Sequence, residues 1–517
     1  MSLVRTFAAA LLSLALAHGQ ARLPVESYQD RVHAAWLGQI LGALMGFAFE
    51  HRAAAVAPVT TLDAKYQSAP VDDDYYYELV ALRAFEKHGT KLTVEQLGEQ
   101  WKENNAGSWG SSEQARLLLA RGIRPPDTGH PRYNRLWFTI GPQFAGDLYG
   151  LVAPGMPNLA GRLARELGHI NGWAEGADGG VFVAGMHSLA FVESDPKEIV
   201  RKAARLIHPS SPYRQCLDLV IAMAERGAGA REVMQAVEDR WHIEYPATNN
   251  AVPNGGIVAA AVWFGEGDFL KTVNLAFAAG DFTDADCNAA NAGGVVGALR
   301  GTRALPAALV AQLHDRLEGE KMGGVALTPP VLESIADIAR RTARIGERFV
   351  VENGGARNGA ELGIRTQTVQ TQPAELFPLS RLTEYWNPSW ELQRAGFGGA
   401  GGGMGGIRGI THLDGDVLAT YPRDEVRGVV LTRRAALGGT PSLSLEVCAD
   451  AGRAWQLDIY VENRRVDTRL ISGSWQRVDL DLREWANSEV TLRLMQRVLL
   501  GPEKAPGNAY WRGLEIR

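Results

Sequence analysis

The spacing of apolar residues changes once along this chain, and that change constrains its fold more than any other feature. Up to about Arg344, apolar residues recur every three or four positions. DDYYYELVALRAFEKHG sets Leu79, Leu82 and Phe85 at spacings of three, and NLAGRLARELG sets Leu159, Leu163 and Leu167 four apart. Such stripes predict amphipathic helices packed on one another. From about Pro373 the period is two. SLSLEV alternates Leu443, Leu445 and Val447; WQLDIYV alternates Trp455, Leu457, Ile459 and Val461; RVDLDL alternates Val478, Leu480 and Leu482; VTLRL alternates Val490, Leu492 and Leu494. Short alternating runs separated by turns predict an antiparallel β-sandwich. The expected fold class is therefore multidomain: an all-α domain over residues 22–345, a polar linker over 346–372, and a β-sandwich of galactose-binding-like type over 373–517.

The chain has 517 residues, 46% of them hydrophobic and 21% charged, which permits a large core. A formal net charge of −5 does not attract a phosphate backbone, so nucleic acid is not an expected partner. The start, MSLVRTFAAALLSLALAHGQARLP, combines Arg5, an apolar stretch from Phe7 to Leu16 and a small-residue cleavage site at Ala15-Leu16-Ala17. It predicts a secretory signal over residues 1–21 and a secreted or periplasmic protein. No later run has the length to span a bilayer. Three widely spaced cysteines, Cys216, Cys287 and Cys448, make no disulfide framework. The glycine-dense stretch AGFGGAGGGMGGIRG, residues 395–409, holds a formal GxGxxG-like match. It lacks the strand-then-helix setting of a phosphate loop, so it reads as a flexible loop. No HExxH, CxxC pair or GxSxG occurs, which removes the local support for zinc peptidase and serine hydrolase chemistry.

Three stretches carry the chemistry. In APVDDDYYYEL, Asp72, Asp73 and Asp74 open the helix that carries Leu79 and Leu82. Free N–H groups and the helix dipole favour carboxylates there, but three in a row repel one another, and a hard divalent cation relieves that repulsion. In AAGDFTDADCNAANAGGVVGALRG, Asp284 and Asp286 again open a helix, and a run of small residues follows. That run predicts a helix buried on all sides, because small side chains let neighbours approach closely. In AWLGQILGALMGFAFEHR, Gly38, Gly42 and Gly46 share one helix face, and Glu50 ends the segment.

In this order, GALMGFAFE, VDDDYYYELVALRAFEKHG and GDFTDADCNAANAGGVVGAL resemble the three motifs of the ADP-ribosylglycohydrolase family, the group related to dinitrogenase reductase-activating glycohydrolase. GDLYGLVAPGMPNLAGRLA, GHINGWAEGADGGVFVAGM and VPNGGIVAAAVWFGEGDF are similar to intermediate segments of a secreted or bacterial branch, so the resemblance spans about residues 28–345. It implies an all-helical domain holding two Mg²⁺ or Mn²⁺ ions and hydrolysis of a ribosyl, specifically ADP-ribosyl, glycosidic bond. Carried over, Asp72, Asp73, Asp74, Asp284, Asp286 and Cys287 take the metal positions. Glu50 takes the acid near the metals and the scissile bond, and Asp73 stands with it among the catalytic residues. Asp147 and His169 lie in family-like segments and are expected as substrate contacts. The chain departs from the family at Ala43, where many members have Asp, at Cys287 in place of Thr or Ser, and at Tyr75 in place of Thr. Two other readings are a hydrolase of a different glycoside or riboside using the same dimetal site, and a non-catalytic carbohydrate-binding protein. The tryptophans of the sandwich, Trp455, Trp475, Trp485 and Trp511, are candidates for the latter, with Trp455 in phase with core positions.

Overall fold

A computed structural model describes residues 19–398, 409–424, 426–499 and 506–517. The expected leader falls outside these residues as far as His18, and most of the glycine-dense loop does so too.

The centre of the helical domain is one pair of helices, Val25–Gly46 and Ala285–Arg300. Their contact is backbone on backbone. A Cβ added at Gly38, Gly42 or Gly297 would strike the main chain of Gly293, Ala289 or Ala34, and one at Gly46 would lie 2.5 Å from the Cα of Asp286. The glycine face of the first helix thus fits the small-residue run of the second, which is buried from Ala285 through Leu299. This close approach sets where the Asp286 end of the second helix lies.

The helix Asp73–His88 begins at Asp72, whose side chain accepts from the Asp74 N–H at 3.3 Å. Leu79, Leu82 and Phe85 face the core with no exposure. The three tyrosines that follow the aspartates are buried and each hydroxyl is bonded. Tyr75 donates to the Pro70 carbonyl at 2.5 Å, Tyr76 donates to the Asn104 carbonyl at 3.2 Å, and Tyr77 accepts from the Ser108 N–H at 3.0 Å. Rings of this size anchor the start of the helix. A small sheet of Ala69–Pro70, Arg316–Met322 and Val325–Ser334 holds the chain just before Asp72.

Two boundaries differ from the sequence reading. Residues 346–352 continue the helix Ile335–Glu352, and Glu361–Arg365 pairs with Ala356–Asn358 on one side and Gln20–Pro24 on the other. Leu362 and Ile364 insert into the helical core, and the Gln367 side chain accepts from the Asn158 and Leu159 N–H groups at 3.0 and 3.1 Å. The segment 346–372 is therefore a strap fastened to the helical domain, and Gln20 and Ala21 are strand residues.

The C-terminal domain is an antiparallel sandwich of two five-stranded sheets. One runs in the order Arg464–Ile471, Trp455–Val461, Glu489–Val498, Val429–Ala436, Glu391–Gln393. The other runs Gln476–Asp481, Ser442–Ala449, Ala509–Ile516, Val417–Thr420, His412–Asp414. Alternate residues point inward, as the period of two requires. Trp455 and Trp511 meet in the core at 4.9 Å between ring centres, so Trp511 is not a surface aromatic. Trp475 and Trp485 are not core residues and lie under Arg512 and Arg464. The two domains share packing: Leu136, Trp137, Phe138 and Ala174 of the helical domain belong to the hydrophobic cluster of the sandwich. Among the described residues no helix is long and apolar enough to cross a membrane.

Candidate functional site

Three elements far apart in sequence deliver carboxylates to one pocket of about 370 Å³. Glu50 comes from the turn after the first glycine-faced helix, Asp72 and Asp73 from the start of the Asp73–His88 helix, and Asp284 and Asp286 from the start of the Ala285–Arg300 helix. Asp72, Asp73 and Asp74 can bring one oxygen each within 4.8 Å of one another, as can donor atoms of Asp284, Asp286 and Cys287, and of Glu50, His51 and Asp284.

The electrostatics of this cluster are unfavourable for protein atoms alone. Burial, reinforced by Asp284, pushes the Glu50 carboxyl up to about 7. Burial raises Asp72 to about 6, and burial together with neighbouring aspartates holds Asp73, Asp74 and Asp286 well above the ordinary carboxylate range. Both oxygens of Asp74 and one each of Asp284 and Asp286 are buried without a hydrogen-bond donor. Unpaired buried carboxylates are costly, and a divalent cation with oxygen ligands removes the cost. Orphaned oxygens, converging helix N-termini and a donor set made mostly of carboxylates fit a divalent cation.

Cys287 reaches the site beside Asp284 and Asp286, its sulfur within reach of the same ion as their oxygens. Burial, reinforced by Asp284, Asp74 and Asp286, pushes its thiol well above the usual range. It lies beside the Asp74 carboxyl.

Asp147 and His169 are not brought to the pocket. Asp147 is buried, 3.1 Å from Nε2 of His187, and accepts from the Asn291 side chain at 2.6 Å. His169 stacks on Trp173 at 4.1 Å and meets Glu375 at 2.9 Å, where the strap enters the sandwich. Neither residue is in the pocket lining, and neither are these partners. Asp281 is exposed and joins neither cluster.

Several site residues escape a motif-based reading. His51 lies 3.5 Å from Glu50 and 3.6 Å from Asp284, and its other ring nitrogen meets the Thr248 hydroxyl at 2.5 Å. Its position directly after Glu50 was the available signal. Asn254 accepts from the Asp284 N–H at 2.9 Å and from the Asn288 side chain at 2.8 Å, and so braces the start of that helix. Trp109, Arg135 and Thr248 line the walls, and Ile410 joins them from the C-terminal domain.

Fold and site together define a class: a helical domain with an acidic pocket suited to a hard cation, followed by a β-sandwich. A family model then identifies the helical part. The ADP-ribosylglycohydrolase model matches residues 24–346, and this chain belongs to that family of glycohydrolases. Among solved structures, an ADP-ribosylglycohydrolase-related protein complex is 16% identical, with a TM-score of 0.40, covering 62% of this chain and 99% of that chain. A CBM4 structure is 13% identical, with a TM-score of 0.18, over 25% of this chain and 87% of that one. A family two carbohydrate esterase from Cellvibrio japonicus is 17% identical, with a TM-score of 0.16, over 24% of this chain and 30% of that one. No curated protein is similar enough to match the chain.

Proposed function

We propose that this protein hydrolyses the glycosidic bond at the anomeric carbon of a ribosyl group, with an ADP-ribosyl compound as substrate, and that the reaction depends on two Mg²⁺ or Mn²⁺ ions held by Asp72, Asp73, Asp74, Asp284 and Asp286. The observation that carries this reading is the convergence of three distant acidic elements on one pocket, with buried carboxylate oxygens that have no donor. Glycoside hydrolysis passes through an oxocarbenium-like transition state and needs a positioned water. Bound there, the ions supply Lewis-acid stabilisation and orientation of hydroxyl oxygens. Glu50 accepts a proton from the attacking water at a carboxylate oxygen as the bond from the anomeric carbon to the leaving group breaks, and then returns that proton to the departing group; His51 lies 3.5 Å from it. Asp73, which also lines the pocket, adds a second carboxylate. A leader such as the sequence suggests would carry this reaction outside the cytoplasm and make its substrate an extracytoplasmic one.

The direct test is chromatographic. The full chain is incubated with ADP-ribosyl-arginine, with Mg²⁺, Mn²⁺ or EDTA, and free ADP-ribose is quantified. Metal-dependent release is the expected result. Glu50→Gln is expected to lower kcat by about 10²–10⁴-fold, the usual contribution of a positioned acid–base group, while Mg²⁺ binding measured by calorimetry persists. Undiminished kcat in Glu50→Gln would remove Glu50 from the mechanism. No release from metal-loaded protein would exclude ADP-ribosyl-arginine and turn the search to other ribosides and glycosides.

A further inference from the structure

The charges lining the pocket are distributed unevenly. Glu50, Asp72, Asp73, Asp284 and Asp286 all line it, and among the described lining residues Arg135 is the single arginine or lysine. Glu113, also in the lining, is opposed by Arg116 at 3.9 Å. Arg135 is exposed and has no hydrogen-bond or ion-pair partner among the described residues, although six carboxylates share its pocket. An unpaired guanidinium facing a cavity is a ready bidentate partner for a planar or tetrahedral anion.

The backbone around Arg135 is held from both domains. The Leu136 N–H donates to the Asn134 side chain at 3.0 Å, the Ile140 N–H donates to the Asn249 carbonyl at 3.0 Å, and the Ala251 N–H donates to the Phe138 carbonyl at 3.1 Å. From the C-terminal domain, Phe397 packs on Phe138 with ring centres 4.0 Å apart, and Phe377 meets Trp137 at 5.7 Å. Ile410 adds an apolar contact to the same wall. Arg135 is also near enough to His412 and Tyr510 of the sandwich to act on both electrostatically.

We infer that Arg135 is a specificity-determining residue that takes an anionic arm of the substrate, a phosphate ester or diphosphate, and that the C-terminal domain positions it by clamping residues 136–138. This rests on the reading of the pocket as the substrate site. It gives the β-sandwich a part in substrate selection, separate from any glycan it binds itself.

The test measures preference for an anion independently of hydrolysis. Ribose 5-phosphate and ribose are titrated into the Mg²⁺-loaded full chain and followed by ligand-observed NMR. The wild type is expected to bind the phosphorylated sugar more tightly. Arg135→Met is expected to reduce that preference about tenfold, the scale of a lost charge-assisted contact, and Arg135→Lys to retain part of it. Phe397→Ala, outside the pocket lining, is expected to reduce the preference several-fold with Mg²⁺ affinity unchanged. Unchanged preference in Arg135→Met, or no phosphate preference in the wild type, overturns the inference. An Arg135-dependent preference in a protein that releases no ADP-ribose would sustain the inference and count against the proposed reaction.

Discussion

Replacing Asp284 and Asp286 together with alanine is expected to abolish metal-dependent hydrolysis, by about 10³-fold or more, because several kcal/mol of charge stabilisation are lost and each 1.4 kcal/mol is a factor of ten. The same variant is expected to keep or raise the melting temperature of the metal-free protein. Asp286 is buried at the start of its helix, Asp284 adds to the charge repulsion on it, and an oxygen of each lacks a donor. Removing buried like charges relieves that cost. In the wild type, Mg²⁺ at about a hundred times its Kd adds about 2.7 kcal/mol by linkage, read as a rise of about 5 °C in the helical-domain transition. The variant should lose this rise. Calorimetric scans with Mg²⁺ and with EDTA decide the matter: a wild-type protein indifferent to both ions, or a double variant that still responds, would show that this cluster is not a metal site.

The second large effect is expected from a residue with no functional group. In Gly46→Ala the new methyl would lie 2.5 Å from the Cα of Asp286 and 2.9 Å from its Cβ, so main chain must move. Overpacking of this kind costs about 1–3 kcal/mol. Here the displaced atoms carry a proposed ligand, and Mg²⁺ affinity is expected to fall about tenfold or more. Gly439→Ala, whose methyl meets nothing within 4 Å, is expected to leave both stability and affinity unaltered. Thermal melts and Mg²⁺ titrations of the pair separate the two cases. Intact affinity in a destabilised Gly46→Ala would mean that the helix contact does not hold the site.

These two predictions concern the parts of the protein most legible in its sequence. The small-residue run after Asp286 and the spacing of Gly38, Gly42 and Gly46 are local patterns, and both predict close helix packing without any knowledge of the partner. The structure makes them each other's partners. The alternation of Leu443, Leu445 and Val447 is equally local and survives as inward-facing sheet positions. The pocket wall was not legible in this way. Nothing near Arg135 announces that Phe397 and Ile410 will pack beside it, because that juxtaposition depends on how two domains dock. The places of Asp147 and His169, away from the pocket lining, were illegible for a related reason. A carboxylate or an imidazole looks the same in sequence whether its partner is a substrate or a buried side chain, and the partners here, His187 and Glu375, lie 40 and 206 residues away. The strap over residues 346–372 was read as a linker from its polar composition. Two buried residues, Leu362 and Ile364, are enough to fasten it.

The shared packing of Leu136, Trp137 and Phe138 has a consequence for how this architecture can be recombined. By chain position these residues belong to the helical domain, yet their side chains fill the interior of the other module. A sandwich taken from another protein would therefore arrive without the surfaces that support the Arg135 side of the pocket. A helical domain cut free at the strap would expose three large apolar side chains beside its own cavity. The seam between modules and the selectivity of the pocket are one inheritance, so a domain exchange that preserved every acidic residue would still alter what the protein admits.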